Sequence, residues 1–187
     1  MLLLNKNFLF YKKIDVSLIK ENVKKFNLEW LEDTSRQRIF DVHKHTSTIQ
    51  ITDFDLDWEC FSPYVYQPIL KNKKLFTLLN PIFNYLENLH DGKIGRSMFV
   101  KLSANKNIDK HIDGGSYLLV AKRHHIPIIT NNKVLFIING EQKILNEGEI
   151  WEIDNSKEHE VKNLSNEDRV HLIVDIIPNM YINKQYV

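Results

Sequence analysis

The chain has 187 residues, 43% of them hydrophobic, with 25 Lys plus Arg against 24 Asp plus Glu, a net charge of +1. That size buries a core in one domain without cross-links, and the balanced charge supplies no global field to hold nucleic acid or an anionic membrane. Cys60 is the single cysteine, which excludes an internal disulfide and every multi-cysteine zinc or iron–sulfur site and suits a reducing compartment.

The opening Met1-Leu2-Leu3-Leu4 is followed at once by Asn5 and Lys6, too short for a signal-peptide core, and no stretch approaches transmembrane length. The expected location is therefore cytoplasmic. From Asp15 to Phe26, Val16, Ile19, Val23 and Phe26 recur at helical spacing, with Asp15 or Ser17 placed to cap the start. His43-Lys44-His45 puts two imidazoles on one face of an extended segment, but no carboxylate is tied to them by sequence. Thr48 to Phe54 alternates as a strand, and Asp53, Asp55, Asp57 and Glu59 continue it as a charged edge. The sharper use of those acids is to bind a substrate ammonium at the mouth of a site. The series Leu75, Leu78, Leu79, Ile82, Phe83, Leu86 and Leu89 predicts a second amphipathic helix ending near Asp91-Gly92, with Pro81 as a kink or a start. Lys71, Lys73 and Lys74 read as its solvated face.

After Gly95 the pattern changes to short β-branched and aromatic runs. Strands are predicted over Ser97–Leu102, His124–Thr130, Val134–Ile138, Gln142–Leu145, Glu149–Ile153, Glu160–Asn163 and Val170–Ile176. Asn131-Asn132, Asn139-Gly140, Glu147-Gly148 and Ser165-Asn166 supply turns. The fold class is mainly β with helices: a double-stranded β-helix, or jelly roll, whose outer sheet is buttressed by N-terminal helices. Residues 1–95 carry the helices and early strands of one domain, and 96–178 carry the β-core.

His111-Ile112-Asp113 places two ligand types on the same face of an extended segment. Chance alone supplies a His-x-Asp in about half of chains of this composition, so the triplet needs His159, from a different strand region, to acquire meaning. Two His and one carboxylate make a facial triad that leaves adjacent positions open on Fe(II), while a zinc hydrolase is a competing use of the same ligands. Arg169, at the head of an apolar strand, matches the distal carboxylate of a 2-oxo acid as a bidentate partner; its alternative is a strand-end arginine in solvent. Trp151 is read as core, and His124 as structural or exposed, opposite His125.

The segment Ile150 to Pro178, IWEIDNSKEHEVKNLSNEDRVHLIVDIIP, resembles the aspartyl/asparaginyl β-hydroxylase family of Fe(II)/2-oxoglutarate oxygenases, as do Arg123-His124-His125-Ile126-Pro127 and Lys101-Leu102-Ser103. By that resemblance His111, Asp113 and His159 bind Fe(II), Arg169 binds 2-oxoglutarate, and Arg123, His125 and Ser103 are further cosubstrate contacts. The large membrane-anchored members have glycine where this chain has Asp113, so the similarity is to the small bacterial members, free-proline hydroxylases among them. The resemblance implies hydroxylation of an amino acid, free or in a peptide, using dioxygen and releasing succinate and CO2. Two other functions use the same pocket: a cupin-like enzyme with another metal, and a non-catalytic module that binds 2-oxoglutarate without consuming it.

Overall fold

The alternating runs of the C-terminal half form two antiparallel sheets in a computed structural model that describes residues 6–54, 63–65 and 72–182. Its strands are β1 (Phe8–Lys13), β2 (Thr46–Phe54), β3 (Pro63–Val65), β4 (Gly92–Leu102), β5 (Asn107–His111) and β6 (Lys122–Ile129). They continue with β7 (Val134–Ile138), β8 (Glu141–Lys143), β9 (Glu149–Ile153), β10 (His159–Asn163) and β11 (Arg169–Pro178). The larger sheet runs β1-β9-β6-β11-β4-β2-β3 and the smaller β5-β10-β7-β8, the jelly-roll arrangement expected. Helices are α1 (Ser17–Val23), α2 (Glu29–Glu32), α3 (Ser35–Ile39), α4 (Lys73–His90), α5 (Ser116–Val120) and α6 (Asn179–Ile182), with a 3₁₀ turn at Asp41–His43.

Two cores follow from the two faces of the large sheet. Its outer face carries Ile126, Ile128, Leu172, Val174 and Ile176, which pack against Val16, Ile19 and Val23 of α1 and Leu75, Leu79, Ile82 and Leu86 of α4. Its inner face meets the small sheet through Phe8, Leu102, Ile108, Phe136, Ile138 and Val161. Along β11 the two sets alternate, Val170, Leu172 and Val174 outward and Arg169, His171, Ile173 and Asp175 inward, so polar groups of the site line the inside of an apolar strand.

Local chemistry sets the element ends. Asp15 Oδ1 accepts from the N–H and hydroxyl of Ser17 at 2.9 and 2.6 Å, tying down the turn before α1, which stops at Val23 rather than Phe26. Asn72 caps α4 by accepting from the Leu75 N–H, and Asp91 closes it in the left-handed region at φ 42°. Pro81 neither starts nor ends α4: the helix runs through it, and Pro81 lies on the exposed face, where water can serve the carbonyl it frees. Asn139 (φ 48°) and Gly140 (φ 80°) form the predicted tight hairpin between β7 and β8. Strand β1 is a finding beyond the pattern: it pairs with β9 at the sheet edge, but its burial does not alternate. Asp55, Asp57, Glu59, Cys60 and Lys71 lie outside the described residues; Lys73 and Lys74 are exposed on α4.

Candidate active site

Two antiparallel ladders, β5–β10 and β6–β11, assemble the site. β5 and β10 pair with His111 opposite His159, which brings residues 48 positions apart into ring contact at 4.2 Å between centroids. Asp113 follows the end of β5, its backbone N–H held by the Asn155 carbonyl at 3.3 Å. His111 Nε2 lies 3.6 Å and His159 Nε2 3.9 Å from the Asp113 carboxylate, and one ligand atom from each residue falls within 4.8 Å of the others.

Both imidazoles are aimed from behind. The Nδ1 of His111 lies 2.8 Å from the Asp109 carbonyl and that of His159 2.9 Å from the Lys157 carbonyl, so each Nδ1 carries the proton and each Nε2 presents a lone pair to the common centre. Burial pushes the His159 pKa down, only partly opposed by Asp113, which keeps the ring in the neutral form a metal requires. Burial alone would raise the Asp113 carboxyl, but the neighbouring positive charge, Arg123 foremost, outweighs it and holds it below the usual carboxylate range.

Arg123 is part of this frame. The β6–β11 register sets it opposite Asp175, whose carboxylate accepts from Arg123 Nε and Nη2 at 2.8 Å each, and Arg123 Nη1 donates to Asp113 Oδ2. Its guanidinium therefore spans two protein carboxylates and positions Asp113 of the candidate metal cluster, instead of standing ready for a cosubstrate. Asp175 is the residue that sequence reasoning quoted without assigning, and its signal was an acid inside an otherwise apolar strand.

Arg169 is 1% exposed, with one Nη2–His171 Nδ1 contact at 2.9 Å and no carboxylate partner among the described residues. Its Nε and the Nε2 of His171 are buried without a partner. Desolvation, helped by Arg36, pushes the guanidinium down to about 9, the mark of a buried cation that lacks an anion. His125 links this arginine to the triad: it contacts His171, packs edge-on against Phe136 at 5.0 Å, and Phe136 in turn stacks on His159. Burial and the neighbouring Arg169 keep His125 neutral.

Ser103 sits just beyond β4; its N–H donates to the His45 carbonyl and its own carbonyl accepts from Asn163 Nδ2 at 3.1 Å. No hydrogen bond or ion pair among the described residues joins it to Arg169 or the triad. His43 is buried with its ring 5.6 Å from that of His111, and no three-ligand group among the described residues includes His43 or His45. Trp151 packs on the core between the two sheets and against Phe10. The triad opens into a cavity of about 620 Å³ lined by Arg36, His43, Gln50, Asp53, Arg96 and Met98. Asp53 thus reaches the site mouth, paired with Arg96 at 3.2 Å.

A family model for aspartyl/asparaginyl β-hydroxylase matches residues 20–178. The chain belongs to the aspartyl/asparaginyl β-hydroxylase family. Membership supports a hydroxylase-type oxygenase. A solved oxidoreductase of the 2OG-Fe(II) oxygenase family from Burkholderia pseudomallei superposes with a TM-score of 0.55 over 89% of this chain and 91% of its own, at 12% identity. A cupin domain from Bordetella pertussis matches 46% of this chain and 84% of its own at 17% identity and a TM-score of 0.36. The first likeness establishes the shared fold. No similar curated protein is found by sequence. Among the described residues no helix of this β-hydroxylase family member is long and apolar enough to cross a membrane.

Proposed function

We propose that the chain is an Fe(II)- and 2-oxoglutarate-dependent dioxygenase that hydroxylates a C–H bond of an amino acid, free or within a peptide. The observation that carries this reading is the buried Arg169 without a protein carboxylate, placed behind a His/Asp/His triad whose lone pairs converge. A buried guanidinium with an Nε unpartnered among the described residues suits the distal carboxylate of a small dicarboxylate. When bound, Fe(II) with 2-oxoglutarate and dioxygen supplies the oxidising power for C–H hydroxylation, with succinate and CO2 released.

The chain's own groups do the positioning. His111, Asp113 and His159 hold the metal on one face, and Arg123 keeps the Asp113 carboxylate oriented and ionised. Arg169 neutralises the distal carboxylate of 2-oxoglutarate, while His125 and Phe136 form a neutral wall that keeps water from the space between. Substrate enters from the cavity into which the triad opens, where Arg36 and the Asp53–Arg96 pair present both signs of charge to the two ends of an amino acid.

Anaerobic visible spectroscopy of the full chain with Fe(II) and 2-oxoglutarate tests this. A weak charge-transfer band that disappears in His159→Ala and weakens in Arg169→Ala is the expected result. Absence of the band in wild-type protein that binds another divalent ion tightly overturns it.

A further inference from the structure

We propose that His90, His124 and Glu152 form a second metal site, for a zinc-like divalent ion, on the outer face of the large sheet. His124 lies on β6 between Arg123 and His125 but points the opposite way, so the strand that serves the triad on its inner face presents this imidazole to α4 on its outer face. The β6–β9 register sets Glu152 opposite His124, and His90 is the last residue of α4. One ligand atom from each lies within 4.8 Å of the others.

Details of the contact favour an ion over a simple polar patch. His124 is fully buried and its Nδ1 faces the Val174 carbonyl at 3.2 Å, which assigns the proton to Nδ1 and leaves the Nε2 lone pair toward His90. The two Nε2 atoms are 2.8 Å apart. Two nitrogens on a tetrahedral zinc ion at the usual distance stand roughly 3.3–3.4 Å apart, so an ion would widen this contact by about half an ångström. A direct His90–His124 hydrogen bond accounts for the 2.8 Å spacing as it stands, while Glu152 Oε2, 3.8 Å from His90 Nε2 and beyond hydrogen-bond reach, stands within about half an ångström of the separation that two ligands of one ion require. Glu152 is 3% exposed; Tyr11 Oη donates to its Oε2 at 2.5 Å and Lys122 Nζ lies 3.5 Å from its Oε1. Such outer contacts are those that orient ligating carboxylates. Burial keeps both rings neutral, His124 down to about 3, the form that ligates.

The group also borders a cavity of about 610 Å³, lined by Tyr11, Leu118, Asp154, Ser156 and Tyr181, which leaves room for water as the remaining ligand. An ion here fastens the C-terminus of α4 to β6 and β9, so its first effect is on stability.

Equilibrium dialysis of the full chain against Zn2+, with elemental analysis, separates this site from the triad. Wild type is expected to hold two ions, and His90→Gln, Glu152→Gln and His159→Ala one each. In His159→Ala, zinc about 100-fold above Kd is expected to raise the melting midpoint by roughly 5–10 °C, a shift lost on adding His90→Gln. A single ion in wild type, or two ions retained in both His90→Gln and Glu152→Gln, overturns the proposal.

Discussion

At the scale of single residues, the proposed function separates groups that would touch metal or cosubstrate from groups that hold them. Removing a ligand and removing its support should therefore differ in kind. Iron-dependent succinate formation is expected to vanish in His159→Ala, and wild-type turnover there would sink the triad assignment. Arg169→Ala is expected to leave iron binding intact while raising the 2-oxoglutarate KM, on the order of 100-fold for the loss of a buried charge-assisted pair. Arg123→Met presents a third case. It leaves Asp175 buried and unpaired and frees Asp113, so iron affinity should fall by roughly 10–100-fold and stability by roughly 3–5 kcal/mol. Titration with Fe(II) and chemical denaturation measure the two effects, and an unaltered iron affinity would show that Asp113 needs no clamp.

Among the elements, the junction of β1 and α1 depends on a turn that has no room for a side chain. Gly148 has φ +79°, and a Cβ there would meet the Ile14 carbonyl at 2.2 Å. Its own carbonyl accepts from the Ile14 N–H, and its N–H donates to Pro127, so the turn before β9 pins both the helical layer and β6. Gly148→Ala is expected to destabilise the protein by more than about 1 kcal/mol through strain and displaced backbone. A denaturation midpoint equal to wild type would contradict this reading of the turn.

For the molecule as a whole, histidine burial dictates how stability responds to acid. Desolvation is the leading cause that pushes down His43 and His124, each to about 3, and His125 and His171 well below their ordinary value. In each, the folded pKa lies below the unfolded one, so between the two the unfolded chain binds protons that the native chain refuses. Stability is complete above about pH 6.5 and is lost as pH falls toward the folded values, approaching about 1.4 kcal/mol per pH unit for each such histidine. The melting midpoint of metal-free protein should thus drop between about pH 7.5 and pH 5.5, with a shallower slope in His124→Asn. A midpoint independent of pH over that range would mean these rings are solvated in the native state.

Much was legible in the chain itself because it rests on local chemistry. The periods of Val16 to Val23 and Leu75 to Leu86, the Asn139-Gly140 turn and the alternation of β11 depend on neighbours a few residues away, and they determined α1, α4, most of the C-terminal strands and the jelly-roll class, but not the short helices α2, α3, α5 and α6 or the strands β3 and β5. The residue types of the cluster His111, Asp113 and His159 were equally readable, since the family motifs flank them. What the pattern did not contain was β1, whose pairing at an edge needs no alternation, and the passage of α4 through Pro81, which exposure on one face permits. The tertiary structure alone decided that Arg123 belongs to Asp175 and Asp113, that Arg169 has no anion partner among the described residues, and that His90 and Glu152 converge on His124. Those outcomes depend on strand register between distant segments, where a shift of one residue turns every side chain to the other face.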